Sequence, residues 1–269
     1  KITNTIKYAK QKNPKLKIRF TPEDTVRSNF DNVVKASVAA VNAGADIISI
    51  ADTTGHMIPG SKNNMFDYVK KLKNEFQKNN VSPEIAVHCH NDRGFALSNA
   101  LDAYRAGANI IDASVLGIGE RAGIVDLANL LVVLKNDFEI GNWNLTKLKK
   151  LYGLVSKYAN IPIPVNFPIM GQNAFTHCAG VHTQAALINP AHYQSLDPNL
   201  IGEQSKISLD HMSGLSSIKY MIKKNGYEIN DELSKKILQN VKKMGHKGKI
   251  VDEEEFIHIV EMVKNGNIN

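Results

Sequence analysis

Strand-like apolar runs alternate with amphipathic helical runs through the first half of this chain, and each strand ends in a polar cluster. Helical spacing over residues 1–11 (Ile2, Ile6, Ala9) is closed by Pro14. Leu16 to Phe20 reads as a strand ending in Thr21-Pro22-Glu23-Asp24, and Phe30 to Ala43 as a helix with Gly44 at its C-terminal cap. Ile47 to Ile50 runs into Ala51-Asp52-Thr53-Thr54-Gly55, and a helix follows over Asn64 to Asn79. Ile85 to His90 leads into Asn91-Asp92-Arg93-Gly94, then a helix over Phe95 to Ala106 capped by Gly107. Ile110 to Val115 is the last such strand, entering Leu116-Gly-Ile-Gly-Glu-Arg-Ala-Gly123 before a helix over Val125 to Lys135.

Such alternation implies a parallel sheet. In an open sheet only the switch-point strands need carry chemistry. In a (β/α)8 barrel every strand end faces one central site. Polar residues at all four strand ends favour the barrel, although four strands make only half of one and the chain opens inside what reads as a barrel helix. A bare half would expose two sheet edges. The expected class is therefore α/β: half of a (β/α)8 barrel over residues 1–143, a helix and extended linker over 144–212, and a small all-helical subdomain over 213–269. In the last segment, Asp252-Glu-Glu-Glu255 has capping-box spacing.

The net charge of +7 raises the question of nucleic acid. Its lysines, as in Lys70-Lys71-Leu72-Lys73, are spread over helical faces rather than gathered in one stripe, so no nucleic-acid partner is expected. No apolar run has the roughly 20 residues of a membrane span, and residues 1–10 lack the apolar core of a signal peptide. Two cysteines, Cys89 and Cys178, make no disulfide framework, which points to a reducing cytoplasm.

The chemistry concentrates in the strand ends. Side chains alternate along a strand, so His88 and His90 share a face and Cys89 takes the other. Two imidazoles so placed suit a divalent metal as neighbouring ligands, or are two structural histidines. Glu23 and Asp24 are acids for base chemistry or the acidic start of a helix. Asp52, Thr53 and Thr54 bind a carboxylate or form a turn. Gly117-x-Gly119-x-x-x-Gly123 lies where phosphate loops lie, but its spacing is not G-x-G-x-x-G and Glu120 repels a pyrophosphate unless Arg121 offsets it. A flexible loop closing over an acyl thioester fits the spacing equally. His177, His182 and His211 lie outside the barrel part with no ligand-like spacing, and no G-x-S-x-G or C-x-x-C occurs.

Together these motifs resemble the Claisen-condensing branch of the DRE-TIM metallolyases, the 2-isopropylmalate, homocitrate and citramalate synthases. The resemblance rests on Phe20-Thr-Pro-Glu-Asp-Thr-Val-Arg-Ser28, Ala51-Asp-Thr-Thr-Gly55, His88-Cys-His-Asn-Asp-Arg-Gly94, Gly117-Ile-Gly-Glu-Arg-Ala-Gly123 and Phe175-Thr-His-Cys-Ala-Gly-Val-His182, with Asn189-Pro190-Ala-His-Tyr193 and Met212-Ser-Gly214 continuing it. It implies strands five to eight of the barrel over residues 1–143. It further implies a divalent metal (Zn, Mn, Fe or Mg) held by His88, His90 and an Asp, and a 2-oxo acid activated by that metal. Thr21 and Thr53 correspond to substrate contacts, Glu23 and Glu120 to acids that organise the site, and Gly117 and Gly119 to the loop meeting acetyl-CoA. A histidine from the helical subdomain of another subunit assists, for which His211 is the candidate. Ser114 to Ile124 and Phe175-Thr-His look closest to homocitrate synthases, which act on 2-oxoglutarate.

The family's D-R-E strand, source of the metal-binding Asp and a substrate-binding Arg, is absent from these residues. The expected explanations are a fragment, one subunit of a split synthase completed by an N-terminal half, or a degenerate remnant serving as a non-catalytic partner module. A homo-oligomer is expected for the intact enzyme. A nicotinamide enzyme using the glycine loop is the remaining alternative.

Overall fold

A computed structural model describes residues 1–180, 182, 185, 189 and 192–267. Val181, Pro190 and Ala191, from two of the motifs above, lie outside the described residues. The chain divides into two compact units, Lys1–Trp143 and Asn144–Asn269.

In the first unit, strands β1 (Arg19–Phe20), β2 (Ile47–Asp52), β3 (Glu84–Cys89) and β4 (Ile110–Ile111) form a parallel sheet in the order β1-β2-β3-β4. Sequential neighbours in a parallel sheet need crossover helices. These are α2 (Phe30–Asn42), α3 (Met65–Lys78) and α4 (Ala96–Ala106), with α1 (Ile2–Lys12) ahead of them. Asparagine side chains start two of them: Asn29 accepts the Asn32 N–H, and Asn64 the Asp67 N–H. β2 and β3 pair along their whole length, from Ile47 opposite Glu84 to Asp52 opposite Cys89. β2 is buried on both faces beyond its first residue, as an inner parallel strand should be. Ile48, Ile50, Ile85 and Val87 meet Val69, Leu72 and Phe76 of α3 and Ala100 and Ala103 of α4 in one core. Each large apolar side chain buried there contributes roughly 1.5–3 kcal/mol. That core holds the C-terminal ends of β1 to β4 side by side.

Three boundaries depart from expectation. Only Arg19 and Phe20 of the first strand pair with β2, because the Ile18 N–H is taken by the Asp46 carboxylate at 2.7 Å. The strand expected over Ile110 to Val115 breaks at Asp112. Its second piece, β5 (Ala113–Ser114), pairs instead with β6 (Val125–Asp126), the first two residues of the expected last helix. The helix proper, α5 (Leu127–Asn136), starts where Asp126 accepts the Asn129 N–H.

The glycine loop between β5 and β6 is tied to itself rather than left open. The Ile124 N–H bonds Gly117 O at 2.9 Å and the Gly123 N–H bonds Glu120 O at 2.9 Å. Gly123 has φ 83°, and a Cβ there would stand 1.8 Å from Gly117 O.

The second unit opens with a short 3-10 turn (Leu145–Lys147) whose cap, Asn144, accepts the Thr146 N–H, followed by α6 (Leu148–Ala159). Residues 161–168 form no regular element. β7 (Thr176–His177) and β8 (Lys206–Ile207) pair in parallel. Helices α7 (Leu215–Lys224), α8 (Asp231–Gly245) and α9 (Glu253–Lys264) bury Ile218, Ile237, Val241, Phe256 and Val260 against one another, with Leu209 in the same core. The capping box forms: Asp252 accepts the Glu255 N–H while the Glu255 carboxylate accepts the Asp252 N–H. Among the described residues no helix is long and apolar enough to cross a membrane.

The Gly117–Gly123 closure carries a direct expectation. Gly123→Ala combines a left-handed φ with a steric overlap against a backbone carbonyl, and is expected to destabilise the first unit by about 2–4 kcal/mol. Urea denaturation of the folded chain measures it, and a loss below about 0.5 kcal/mol would contradict the loop geometry.

Candidate functional site

His88 is the penultimate residue of β3, and His90 stands one residue beyond the strand, where its N–H bonds Asp52 O at 3.2 Å. Alternation brings the two rings together: their Nε2 atoms are 3.3 Å apart and their centroids 5.0 Å. Cys89 points the other way into the core, fully buried, and burial pushes its thiol up. The His88 Nδ1 stands 3.0 Å from Asp112 Oδ2. Asp112 is held in turn by Arg19, whose Nη1 donates to Oδ1 at 2.8 Å and Nη2 to Oδ2 at 2.6 Å. Burial alone would raise the Asp112 carboxyl, but hydrogen bonds from His88 and Arg19 and the Arg19 charge outweigh it and hold the group well below the usual carboxylate range. Of the two neutral tautomers of His88, an ionised Asp112 favours the one with its proton on Nδ1, whose Nε2 lone pair faces His90.

This arrangement fits a divalent metal. Two nitrogens each about 2.0–2.1 Å from one cation in a tetrahedral array stand about 3.3 Å apart. Two imidazole lone pairs at that separation repel unless a proton or cation lies between them, and His90 Nδ1 is buried without a hydrogen-bond partner. A carboxylate on the far nitrogen of a ligating histidine is the usual orienting support. Among the described residues no third His, Cys, Asp or Glu completes a cluster. Asp112 is behind His88 rather than beside its Nε2, so it supports a ligand and is not itself one.

The remaining strand-end residues gather around the same edge. Thr21 and Glu23 follow β1 and are exposed. The Thr53 hydroxyl, after β2, donates to Glu23 Oε1 at 3.3 Å and accepts the Asp24 N–H at 3.0 Å. Asp24 stands at the start of a 3-10 turn (Thr25–Arg27) without a side-chain cap bond: its carboxylate binds Arg27, which holds it below the usual range, and Asn29 caps α2. Asp52, fully buried, accepts the His56 and Met57 N–H groups at 2.6 and 3.1 Å and so shapes the turn presenting Thr53. Burial pushes its carboxyl up against the pull of those two bonds.

The glycine loop joins this edge through its last residues: the Asn91 N–H bonds Gly123 O at 2.9 Å, and His90 bridges Ile124. Gly117 is half-buried and Gly119 exposed. Glu120 has an 86% exposed side chain that meets the Arg121 guanidinium at 3.7 Å. His211 belongs to the second unit, where its ring lies 5.7 Å from that of His246. His182 and Tyr193, also there, pair their rings at 4.2 Å. Sequence reading passed over Arg19 and Asp112. The signal for Asp112 was present, since it ends the apolar pair Ile110-Ile111 as the other strand-end acids end theirs.

A family model described as HMGL-like matches residues 1–155, more than half of the chain. The chain belongs to the HMGL-like family. A second model, homocitrate synthase post-HMGL domain-like, matches residues 169–249. A homocitrate synthase of Pyrococcus horikoshii is 41% identical over 238 residues, covering 88% of this chain and 62% of that protein. One from Saccharolobus islandicus is 39% identical over 241 residues, covering 90% and 50%. This HMGL-like chain therefore spans only 50% to 62% of the length of these relatives. Among solved structures, the HMG-CoA lyase of Bacillus subtilis aligns with a TM-score of 0.51 at 21% identity, covering 60% of this chain and 57% of that one. That likeness is one of fold, and the architecture is part of an HMGL-like α/β barrel followed by helices.

A carboxyl held below its ordinary range contributes stability that is complete above its unfolded value of about 3.9 and is lost as pH falls through the folded one. Asp112→Asn is therefore expected to flatten the acid limb of the stability curve below about pH 4. It should also weaken metal binding by about 10- to 100-fold. Urea titrations across pH 2–7 and calorimetric metal titration check the two effects, and an unchanged acid limb would contradict the assigned hydrogen bonds.

Proposed function

We propose that this chain carries the metal-binding histidines and the acyl-CoA loop of a homocitrate synthase, an acyltransferase joining acetyl-CoA to 2-oxoglutarate by Claisen condensation and thioester hydrolysis. The observation that carries the reading is the convergence of His88 Nε2 and His90 Nε2, with Asp112 fixing the tautomer of His88, in a chain about 40% identical to homocitrate synthases. A divalent metal bound there supplies a Lewis acid for the carbonyl of the 2-oxo acid.

The chain's own residues do the rest. His88 and His90 are the cis ligands, and Arg19 and Asp112 keep His88 aimed. Thr21 and Thr53 contact the substrate from the ends of β1 and β2. The Thr53 hydroxyl, bonded to Glu23, keeps that carboxylate at the same edge. Glu120 and Glu23 order the acid–base chemistry by which a methyl proton leaves acetyl-CoA and the resulting carbon nucleophile attacks the activated carbonyl. The backbone at Gly117 and Gly119 meets the thioester. His211, from the helical segment of another subunit, assists proton transfer. The third metal ligand and the residues that read the far end of the 2-oxo acid come from a complementary N-terminal portion, on the same polypeptide or a partner subunit.

The test is reconstitution. This chain is combined with the portion of the Pyrococcus horikoshii relative that it does not cover, and free CoA is followed with a thiol reagent. Acetyl-CoA, a divalent metal and 2-oxoglutarate are expected to release CoA faster than 2-oxoisovalerate or pyruvate does. His90→Ala is expected to lower the rate at least about 100-fold, the loss of several kcal/mol of carbonyl activation. No release with any 2-oxo acid sinks the proposal. Release with 2-oxoisovalerate alone moves it to an isopropylmalate synthase.

A further inference from the structure

Arg121 leaves the glycine loop and reaches across two neighbouring strand ends. Its Nε donates to Asp92 Oδ1 at 2.6 Å and its Nη2 to Asp92 Oδ2 at 2.9 Å. The same Nη2 donates to Thr53 O at 2.6 Å. One guanidinium thus holds the turn after β3 and the turn after β2 together. Arg93 stitches the same two turns from the other side, its Nε donating to Gly55 O at 2.9 Å and its Nη2 to His56 O. The planar, multi-donor arginine head suits a two-bond grip on a carboxylate together with a carbonyl, which the point charge of a lysine does not reproduce.

An ion pair this open to solvent adds little to general stability, so the contact is read for what it positions. The backbone is more telling. Arg121 has φ 58° and Leu116 φ 61°, left-handed conformations that a non-glycine residue rarely adopts. Such residues persist where their surroundings over-determine them, and they cluster at functional sites. The end of the loop is pinned separately, by the Asn91–Gly123 bond and the His90–Ile124 bridge. Within the loop the Ser114 hydroxyl holds Ile118 O and the Gly123 N–H holds Glu120 O, and the Arg121 fork is what ties this middle stretch to the neighbouring strand ends.

The geometry points to Arg121 as a positioning residue: its fork on Asp92 and Thr53 O sets where Glu120 and the exposed glycine backbone stand over the strand ends, and so how the loop receives an acyl-CoA. The acyl-CoA in this statement rests on the homocitrate synthase reading, whereas the fork is testable without turnover. Releasing it leaves His88 and His90 in place, because neither ring bonds Arg121, Asp92 or Thr53 in the described contacts.

Hydrogen–deuterium exchange on the folded chain tests the fork. Arg121→Gln and Asp92→Asn are each expected to speed exchange of the loop's hydrogen-bonded amides, those of Ile118, Gly123 and Ile124, about tenfold, while those of β2 and β3 stay as in the unsubstituted chain. Arg121→Lys, which keeps the charge but not the fork, should fall between. In the reconstituted enzyme Arg121→Gln is expected to raise KM for acetyl-CoA about tenfold and KM for the 2-oxo acid less, because Asp52 and Arg93 still hold the Thr53 turn, and Arg121→Lys to recover part of that loss. Unchanged loop exchange in both Arg121→Gln and Asp92→Asn overturns the assignment. So does faster exchange with an unmoved acetyl-CoA KM, since the fork is then structural only. Absence of CoA release by the unsubstituted enzyme refutes the condensation reading instead, and the exchange result still decides whether the fork orders the loop.

Discussion

The hydrogen bond from His88 Nδ1 to Asp112 is the contact on which the site depends. It chooses the tautomer, and the tautomer decides whether His88 presents a lone pair or a proton to His90. Asp112 does this only while ionised, and Arg19 keeps it so with a bidentate pair from β1. Two strands and the residue just past a third thus contribute to aiming one imidazole. Their separation is a property of parallel pairing, so the core of Ile48, Ile50, Ile85 and Val87 acts at a distance on the chemistry. Loops alone seldom hold atoms to that tolerance.

The loops here borrow rigidity from the strands instead. Asp52 lies buried at the end of β2, and its carboxylate gathers two backbone N–H groups into the turn that presents Thr53. Two arginines join that turn to the next, and the glycine loop closes on its own backbone before its final residues run beside His90. Left-handed φ at Leu116 and Arg121 is offset by this web of contacts. Glu120 therefore projects from a held backbone, although its own side chain is open to solvent.

Much of this was legible from residue order. Alternating periods of two and 3.6 revealed the parallel sheet and its helices, and strand parity placed His88 and His90 on one face. Helix starts at Asn64, Asn144 and Asp252 were readable because capping is local. What escaped was non-local. Asp112 sits within an apolar run, and its partners are 24 and 93 residues away. The break that turns Ile110 to Ser114 into two strands follows from pairing with Val125–Asp126, which no window along the chain reveals. The Arg121 fork likewise closes over 29 and 68 residues. Asp24 does stand at a helix start, a single 3-10 turn, but only the fold shows Arg27 taking its carboxylate.

Cys89 gives the strand geometry a further meaning. A sulfur lies between the two imidazoles in the chain, and only the parity of β3 sends it into the core while they face each other. Thiolates draw softer metals, whereas imidazoles with oxygen donors suit harder and borderline ones. A one-residue slip of β3 against β2 would turn every side chain over and offer the sulfur in place of the nitrogens. Which donor atoms face the strand ends is thus written into the backbone register of Ala51 against His88.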